Sequence, residues 1–319
     1  MKTAGVALLM SLASAAALAQ RPSDPALLVA QDAPAMDYIA VADPLAFPPG
    51  ITMGPAASVA FDSNGHLWVL NRGEQPLVEF DAAGKYIRSF GQGLFTRTHG
   101  LKIDRDGSLW ITDVGAHIVV KMSPQGRPLL TLGTKGQQGD WNEAGGSRLL
   151  NQPNDVAIGR NGEIYVVQGH TPGPNGDPRV LKFDKNGSFI KSWGGKGKEP
   201  GKFEVAHGIA IDAKGLLWIA DRENQRIQIF DADGTFVREL KYAGLPCSLE
   251  IGENQIYMVN GFAGQVLKLD LNGKVVAATG RPGKGVGEFG EAHFVAVSPK
   301  GEIYVADSVN GPVQKFVKK

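Results

Sequence analysis

Apolar and polar positions alternate with a period of two along most of the chain, and polar turns rather than helical stretches interrupt the alternation. One phrase recurs six times: an apolar alternating run, a turn, then an aromatic-rich alternating run. Its copies are SVAFDSNGHLWVLNR (58–72), GLKIDRDGSLWITDV (100–114), DVAIGRNGEIYVVQG (155–169), GIAIDAKGLLWIADR (208–222), SLEIGENQIYMVNG (248–261) and FVAVSPKGEIYVADS (294–308). Period-two alternation across Asn-Gly and Asp-Gly turns predicts β-hairpins. A third apolar run and a further turn follow each copy, as in LVEFDAAGKYIRSFG and IQIFDADGTFVREL. The residues that end the first run fall at 62, 104, 159, 212, 252 and 298. Four strands per repeat at that spacing, with no 3.6-residue period, predict an all-β fold, a six-bladed β-propeller over residues 37–319. The last copy supplies only three strands, so the fourth is expected from Asp37–Asp43, which would remove an open sheet edge.

Composition agrees with many short strands and tight turns: 42 glycines and 19 prolines recur at turn-like intervals, and 43% of residues are hydrophobic. The glycine-rich stretches 194–203 and 280–290 lead into strands rather than helix N-termini, so they read as links between blades and not as phosphate cradles. Lys and Arg total 33 against 32 Asp and Glu, a formal charge of +1. That balance argues against nucleic-acid or membrane-surface partners, which attract excess positive charge. A single cysteine, Cys247, excludes an intramolecular disulfide and a multi-cysteine metal site. At the N-terminus Lys2, the apolar run Ala4–Leu18 and the small-residue site Ala17-Leu18-Ala19 form a signal-peptide pattern over 1–19. The expected location is therefore periplasmic or extracellular. Residues 20–36 read as a flexible lead-in, and the mature chain as a monomer.

Candidate chemistry emerges when the repeats are aligned. Five residues before each anchor stand Ala57, His99, Asn154, His207, Cys247 and His293, one per blade at the start of the innermost strand. Histidine fills blades 2, 4 and 6 alone, and alternate blades lie 120° apart, so three imidazoles would converge on the axis. Such a tripod suits a divalent transition metal, Zn²⁺ foremost, with an open position of the catalytic kind; the alternative is a polar channel lining held by water. Arg72 and Arg222 each stand ten residues past their anchors and share the same mouth, where guanidinium groups can grip a carboxylate in a two-pronged contact. Arg222 reads equally as an exposed loop ion pair with Asp221 or Glu223. His170, in the long loop 168–179, is either an acid/base group at that mouth or a surface histidine. His66 and His117 lie off the ring and carry no assigned role, and Cys247 reads as a small buried thiol.

The phrases VAFDSNGHLWVLNRG, THGLKIDRDGSLWITDVGAHIVVKM, QPNDVAI, AHGIAI, ADRENQRIQIF and FVREL resemble NHL repeats. They resemble more closely the peptidyl-α-hydroxyglycine α-amidating lyase family, over about residues 50–317. The resemblance implies zinc on His99, His207 and His293, and active-site arginines at Arg72 and Arg222. It also implies cleavage of a carbinolamide C–N bond to a peptide amide and glyoxylate, on a small-molecule or peptide substrate. The family's catalytic tyrosine falls on His170. Its structural calcium uses carbonyls matching Val59 and Leu101 and an aspartate that is Phe294 here, so the resemblance does not extend to Ca²⁺. Two readings of other classes compete. One is a non-catalytic NHL propeller that docks a peptide, glycan or protein; the other is a lactonase-like calcium propeller, for whose ligands the ring offers only Asn154.

Overall fold

The computed structural model describes residues 21–142, 144–174, 176–311 and 313–319; the leader expected at 1–19 lies outside them. Six four-stranded antiparallel sheets follow one another along the chain. Their innermost strands are Ala56–Phe61, Thr98–Ile103, Pro153–Ile158, Ala206–Ile211, Pro246–Ile251 and Ala292–Val297. Each inner strand packs beside the next, and the sixth packs beside the first, which closes the ring around an axis. Strand Tyr38–Val41 pairs antiparallel with Val313–Lys318, from Tyr38 opposite Lys318 to Val41 opposite Lys315, and completes the sixth sheet.

The turn between the first and second strands shows why the repeat reads as it does. Asp62, Asp104 and Asp212 use one carboxylate oxygen to accept backbone N–H groups within the turn, as Asp212 does from Lys214 and Leu216 at 2.9 Å each. The other oxygen accepts the indole N–H six residues on: Trp68 at 3.3, Trp110 at 2.9 and Trp218 at 3.1 Å. Blades 3, 5 and 6 carry Gly159, Gly252 and Ser298 instead, and there the aromatic partner is Tyr165, Tyr257 or Tyr304. Without an indole donor to satisfy, the aspartate is dispensable. Apolar clusters fill the space between neighbouring blades; one joins Trp68 and Leu70 to Leu101 and Ile111.

Every inner strand also carries a register shift, and all six shifts fall at the ring position. The paired residues jump from Ala56 to Ser58, Thr98 to Leu101, Pro153 to Asp155, Ala206 to Gly208, Pro246 to Ser248 and Ala292 to Phe294. A bulge re-aims the side chain it carries. Here it turns six consecutive ring residues off the plane of their sheets.

The lead-in expected to be flexible over 20–36 is instead bound along blades 4 and 5 over its described residues. Gln225 Nε2 donates to the Ala26 carbonyl, Gln31 N donates to Gln265 Oε1 at 2.7 Å, and Met36 N donates to the Ala278 carbonyl at 2.8 Å with the Met36 side chain buried. The glycine-rich stretches connect blades, and the second makes a short parallel pair, Arg281–Pro282 with Glu288–Phe289. No helix among the described residues is long and apolar enough to cross a membrane.

The aspartate–indole pairing gives a double-mutant test. Asp212→Gly should cost about 2 kcal/mol in urea unfolding, because two turn N–H groups and a mostly buried indole lose their acceptor. Asp212→Gly combined with Trp218→Tyr, the pairing found in blades 3 and 5, should cost about 1 kcal/mol less than the sum of the single changes. Strict additivity would show that the indole bond is incidental.

Candidate metal centre

The three ring histidines meet. The ring centroids of His99, His207 and His293 lie 4.7, 4.6 and 5.0 Å apart (99–207, 99–293 and 207–293), and one ligand nitrogen from each lies within 4.8 Å of the others. All three are buried. Each is aimed by a hydrogen bond that crosses to the next blade. The His99 Nδ1–H donates to the Asn154 carbonyl at 2.7 Å, His207 to Cys247 at 3.0 Å, and His293 to Ala57 at 2.6 Å. The acceptors are the ring residues of blades 3, 5 and 1. A carbonyl only accepts, so the proton sits on Nδ1 and the lone pair on Nε2. The Nε2 atoms of His99 and His207 are buried with no hydrogen-bond partner among the described residues. Burial, then neighbouring imidazoles for His99, Arg222 for His207 and Arg72 for His293, holds all three well below the ordinary histidine pKa. Neutral imidazoles tethered to carbonyls through Nδ1, two of them with an unpaired Nε2, are a donor set suited to a divalent metal.

On one side of the tripod lies the mouth. His170 sits over it, its ring centroid 4.7 Å from His99 and 5.9 Å from His207; this is not the position of a surface-loop side chain. Burial, followed by Arg222 and Arg97, holds its imidazole neutral. Arg72 donates from Nε to the Thr98 carbonyl at 3.3 Å and from Nη1 to the Ser308 carbonyl at 3.4 Å, and no carboxylate among the described residues pairs with it. Burial and then Arg97 push it down to about 10, still protonated at neutral pH. Arg222 is an ion pair, but a buried one: Nε and Nη2 both reach Glu223 Oε1, at 2.9 and 2.7 Å, and Nη1 lies 3.7 Å from Glu291 Oε1. Asp221 takes Arg226 instead. Burial opposes the Arg222 charge, and Glu223 more than restores it.

Two mouth residues were not singled out from sequence, Arg97 and Glu291. Each stands two positions before a tripod histidine, a register that stepping back from the ring would have exposed. Glu291 is buried, accepts from Ser308 Oγ through Oε2, and leaves Oε1 without a hydrogen bond. Cys247 is fully buried, its thiol raised by burial, and it is not among the grouped ligands.

On the other side of the tripod Phe294 closes the channel, its ring centroid 5.6, 6.0 and 5.0 Å from His99, His207 and His293. Beyond it the Lys102 ammonium lies 5.8 Å from the Phe294 centroid and 3.6 Å from Asp155 Oδ2. An apolar ring and a tethered cation do not fit calcium, which wants carboxylate and carbonyl oxygens.

Comparison with known proteins places the chain. The NHL-repeat profile matches residues 203–230 and 289–316, the fourth and sixth blades. Human NHL repeat-containing protein 3 is 30% identical over 290 residues, covering 83% of this chain and 80% of that protein. The chain belongs to the NHL-repeat proteins. It is also 31% identical over 309 residues, 84% of its length, to peptidyl-glycine alpha-amidating monooxygenase A of Xenopus laevis, but spans only 31% of that protein. A Caenorhabditis elegans protein named as a probable peptidyl-alpha-hydroxyglycine alpha-amidating lyase is 30% identical over 213 residues, 58% of each chain. Among solved structures, a gluconolactonase from Xanthomonas campestris superposes with a TM-score of 0.61 at 16% identity, over 93% of this chain and 98% of that one, a likeness of fold alone.

Metal loading should be visible without any assay of activity. Purified protein should bind about one divalent transition metal per chain, and stripping it should lower the melting temperature, because a ligand of the folded state stabilises it by mass action. His207→Ala should bind none and melt at one temperature with or without chelator. Equal metal content in the variant would remove the tripod as the site.

Proposed function

We propose that this NHL propeller is an exported, zinc-dependent lyase that cleaves the carbinolamide C–N bond of an N-acyl-α-hydroxyglycine to an amide and glyoxylate. The observation that supports it most is the tripod: three neutral imidazoles, each fixed through Nδ1, present Nε2 to one point beneath a mouth lined by guanidinium groups. Three histidine ligands and an open position form a zinc set of the catalytic type. The relatives named as amidating lyases favour this chemistry over others that such a centre performs.

Zinc, when bound, supplies Lewis acidity toward a hydroxyl oxygen. The protein's own groups account for the rest. Among the described residues no acceptor binds Arg72 Nη2, so it can take the substrate carboxylate. His170, neutral and poised over His99 and His207, can accept the proton of the carbinol hydroxyl. As the C–O bond becomes the aldehyde C=O of glyoxylate, the C–N electron pair leaves on nitrogen. The proton delivered there completes the amide, so R–CO–NH–CH(OH)–COO⁻ becomes R–CO–NH₂ and OHC–COO⁻ with atoms and charge in balance. Phe294 packs against all three imidazoles on the side away from the mouth, so the mouth is the side from which substrate can reach the tripod.

Glyoxylate release from N-benzoyl-α-hydroxyglycine tests the assignment. The zinc-loaded protein should release it well above the metal-free control, and His170→Ala should lower kcat by about 10² or more with metal content unchanged. No glyoxylate above that control would remove the amidating assignment and leave a different zinc reaction or the docking-propeller reading.

A further inference from the structure

Three guanidinium groups crowd the mouth, and their hydrogen bonding is unequal. Arg222 is held by Glu223 through Nε and Nη2, with Nη1 directed at Glu291. Arg72 rests on the Thr98 and Ser308 carbonyls. Arg97 is held only by its backbone, whose N–H donates to Asp113 Oδ1 at 2.8 Å and whose carbonyl accepts from Val114 at 3.0 Å. Its guanidinium makes no hydrogen bond or close ion pair with any described residue, and its Nε is buried without an acceptor. A buried donor left unmade is costly, and none of the described residues supplies its acceptor, so it points to one brought from outside.

The nearby carboxylates do not fill that need. Asp113 is taken by the backbone N–H groups of Thr96, Arg97, Gly115 and Ala116. Glu223 is bound by Arg222, and Glu291 is pinned by Ser308. Arg97 is also brought beside like charges: burial and then Glu291 govern its proton affinity, with Arg222 opposing it. Arg72, with free donors of its own, already suffices for one substrate carboxylate. The third guanidinium is surplus to a mono-anionic substrate.

We propose that Arg97 is an anion subsite and that the substrate is a dianion, an N-acyl-α-hydroxyglycine whose acyl part carries a second acidic group. The proposal rests on the lyase reading for the reaction, though not for the anion site itself. A carboxylate facing Arg97 would form the charge-assisted, two-pronged contact that planar guanidinium favours.

Two measurements separate the questions. In thermal unfolding of the metal-loaded protein, glutarate should raise the melting temperature more than butyrate. That difference should vanish in Arg97→Met and survive in part in Arg97→Lys, which keeps the charge without the fork. In turnover, kcat/KM for N-succinyl-α-hydroxyglycine should exceed that for the neutral N-succinamoyl compound by about tenfold, and the ratio should fall toward one in Arg97→Met. An equal glutarate effect in wild type and Arg97→Met, or none in wild type, overturns the subsite. Absence of glyoxylate from both compounds would sink the lyase reading, while the glutarate shift still decides Arg97.

Discussion

Three hydrogen bonds from imidazole Nδ1–H to backbone carbonyl hold both the site and the ring. Each joins an even blade to the following odd one: blade 2 to 3, blade 4 to 5, and blade 6 to 1. The last crosses the seam where the chain closes on itself, so the sixth and first blades must be docked before His293 can face its partners. Correct closure and correct tripod geometry are thus one condition. The division of labour also explains the ring's composition. To the tripod the odd blades contribute a backbone carbonyl, which any residue has, so Ala57, Asn154 and Cys247 can differ, Asn154 using its side chain to reach the Ala206 carbonyl instead, whereas even blades contribute imidazole.

Layering along the axis follows from the same constraint. Neutral imidazoles can be buried at low cost if one nitrogen is bonded and the other meets a metal. Charges are kept above and below that layer. Above it the guanidiniums are balanced in part by Glu223 and Glu291. Below it Phe294 separates the tripod from Lys102, Asp155 and Glu250, where burial pushes both carboxyl groups up while Lys102 pulls them down. The aromatic ring keeps a lysine ammonium away from the tripod, which could hold a dication.

Much of this was legible because a repeat protein aligns with itself. The turn aspartates and aromatic partners mark the blade period, and counting back from them finds His99, His207 and His293 with no outside reference. The bulge at each ring residue left no trace in the alternation, because one extra residue at a strand's start looks like part of the preceding loop. Arg97 and Glu291 were missed for a related reason: they precede the strands, where period two no longer says which way a side chain faces. Arg222 and His170 each admitted two readings from sequence, since neither burial nor loop path is encoded in local pattern. The lead-in was read as flexible from its Pro, Asp and Ala content, yet its anchors are Gln265, Gln225 and the Ala278 backbone, more than a hundred residues away in sequence.

Electrostatics tie the layers together. A dication on the tripod would sit beneath Arg72, Arg97 and Arg222, and like charges gathered at a partly desolvated site repel more strongly than in water. Two carboxylates offset three guanidiniums only in part, and Glu291 reaches toward Arg222 with an oxygen that no hydrogen bond claims. The arrangement would be short of negative charge with a metal present, and an anionic substrate would supply it. An anion would relieve the repulsion between metal and guanidiniums, and the metal would attract the anion, so each should tighten the other's binding by the same factor, as linkage requires. A mouth rich in arginine over neutral histidines is on this view a site completed by its substrate, which gives a reason for keeping a buried guanidinium donor without a partner in the protein.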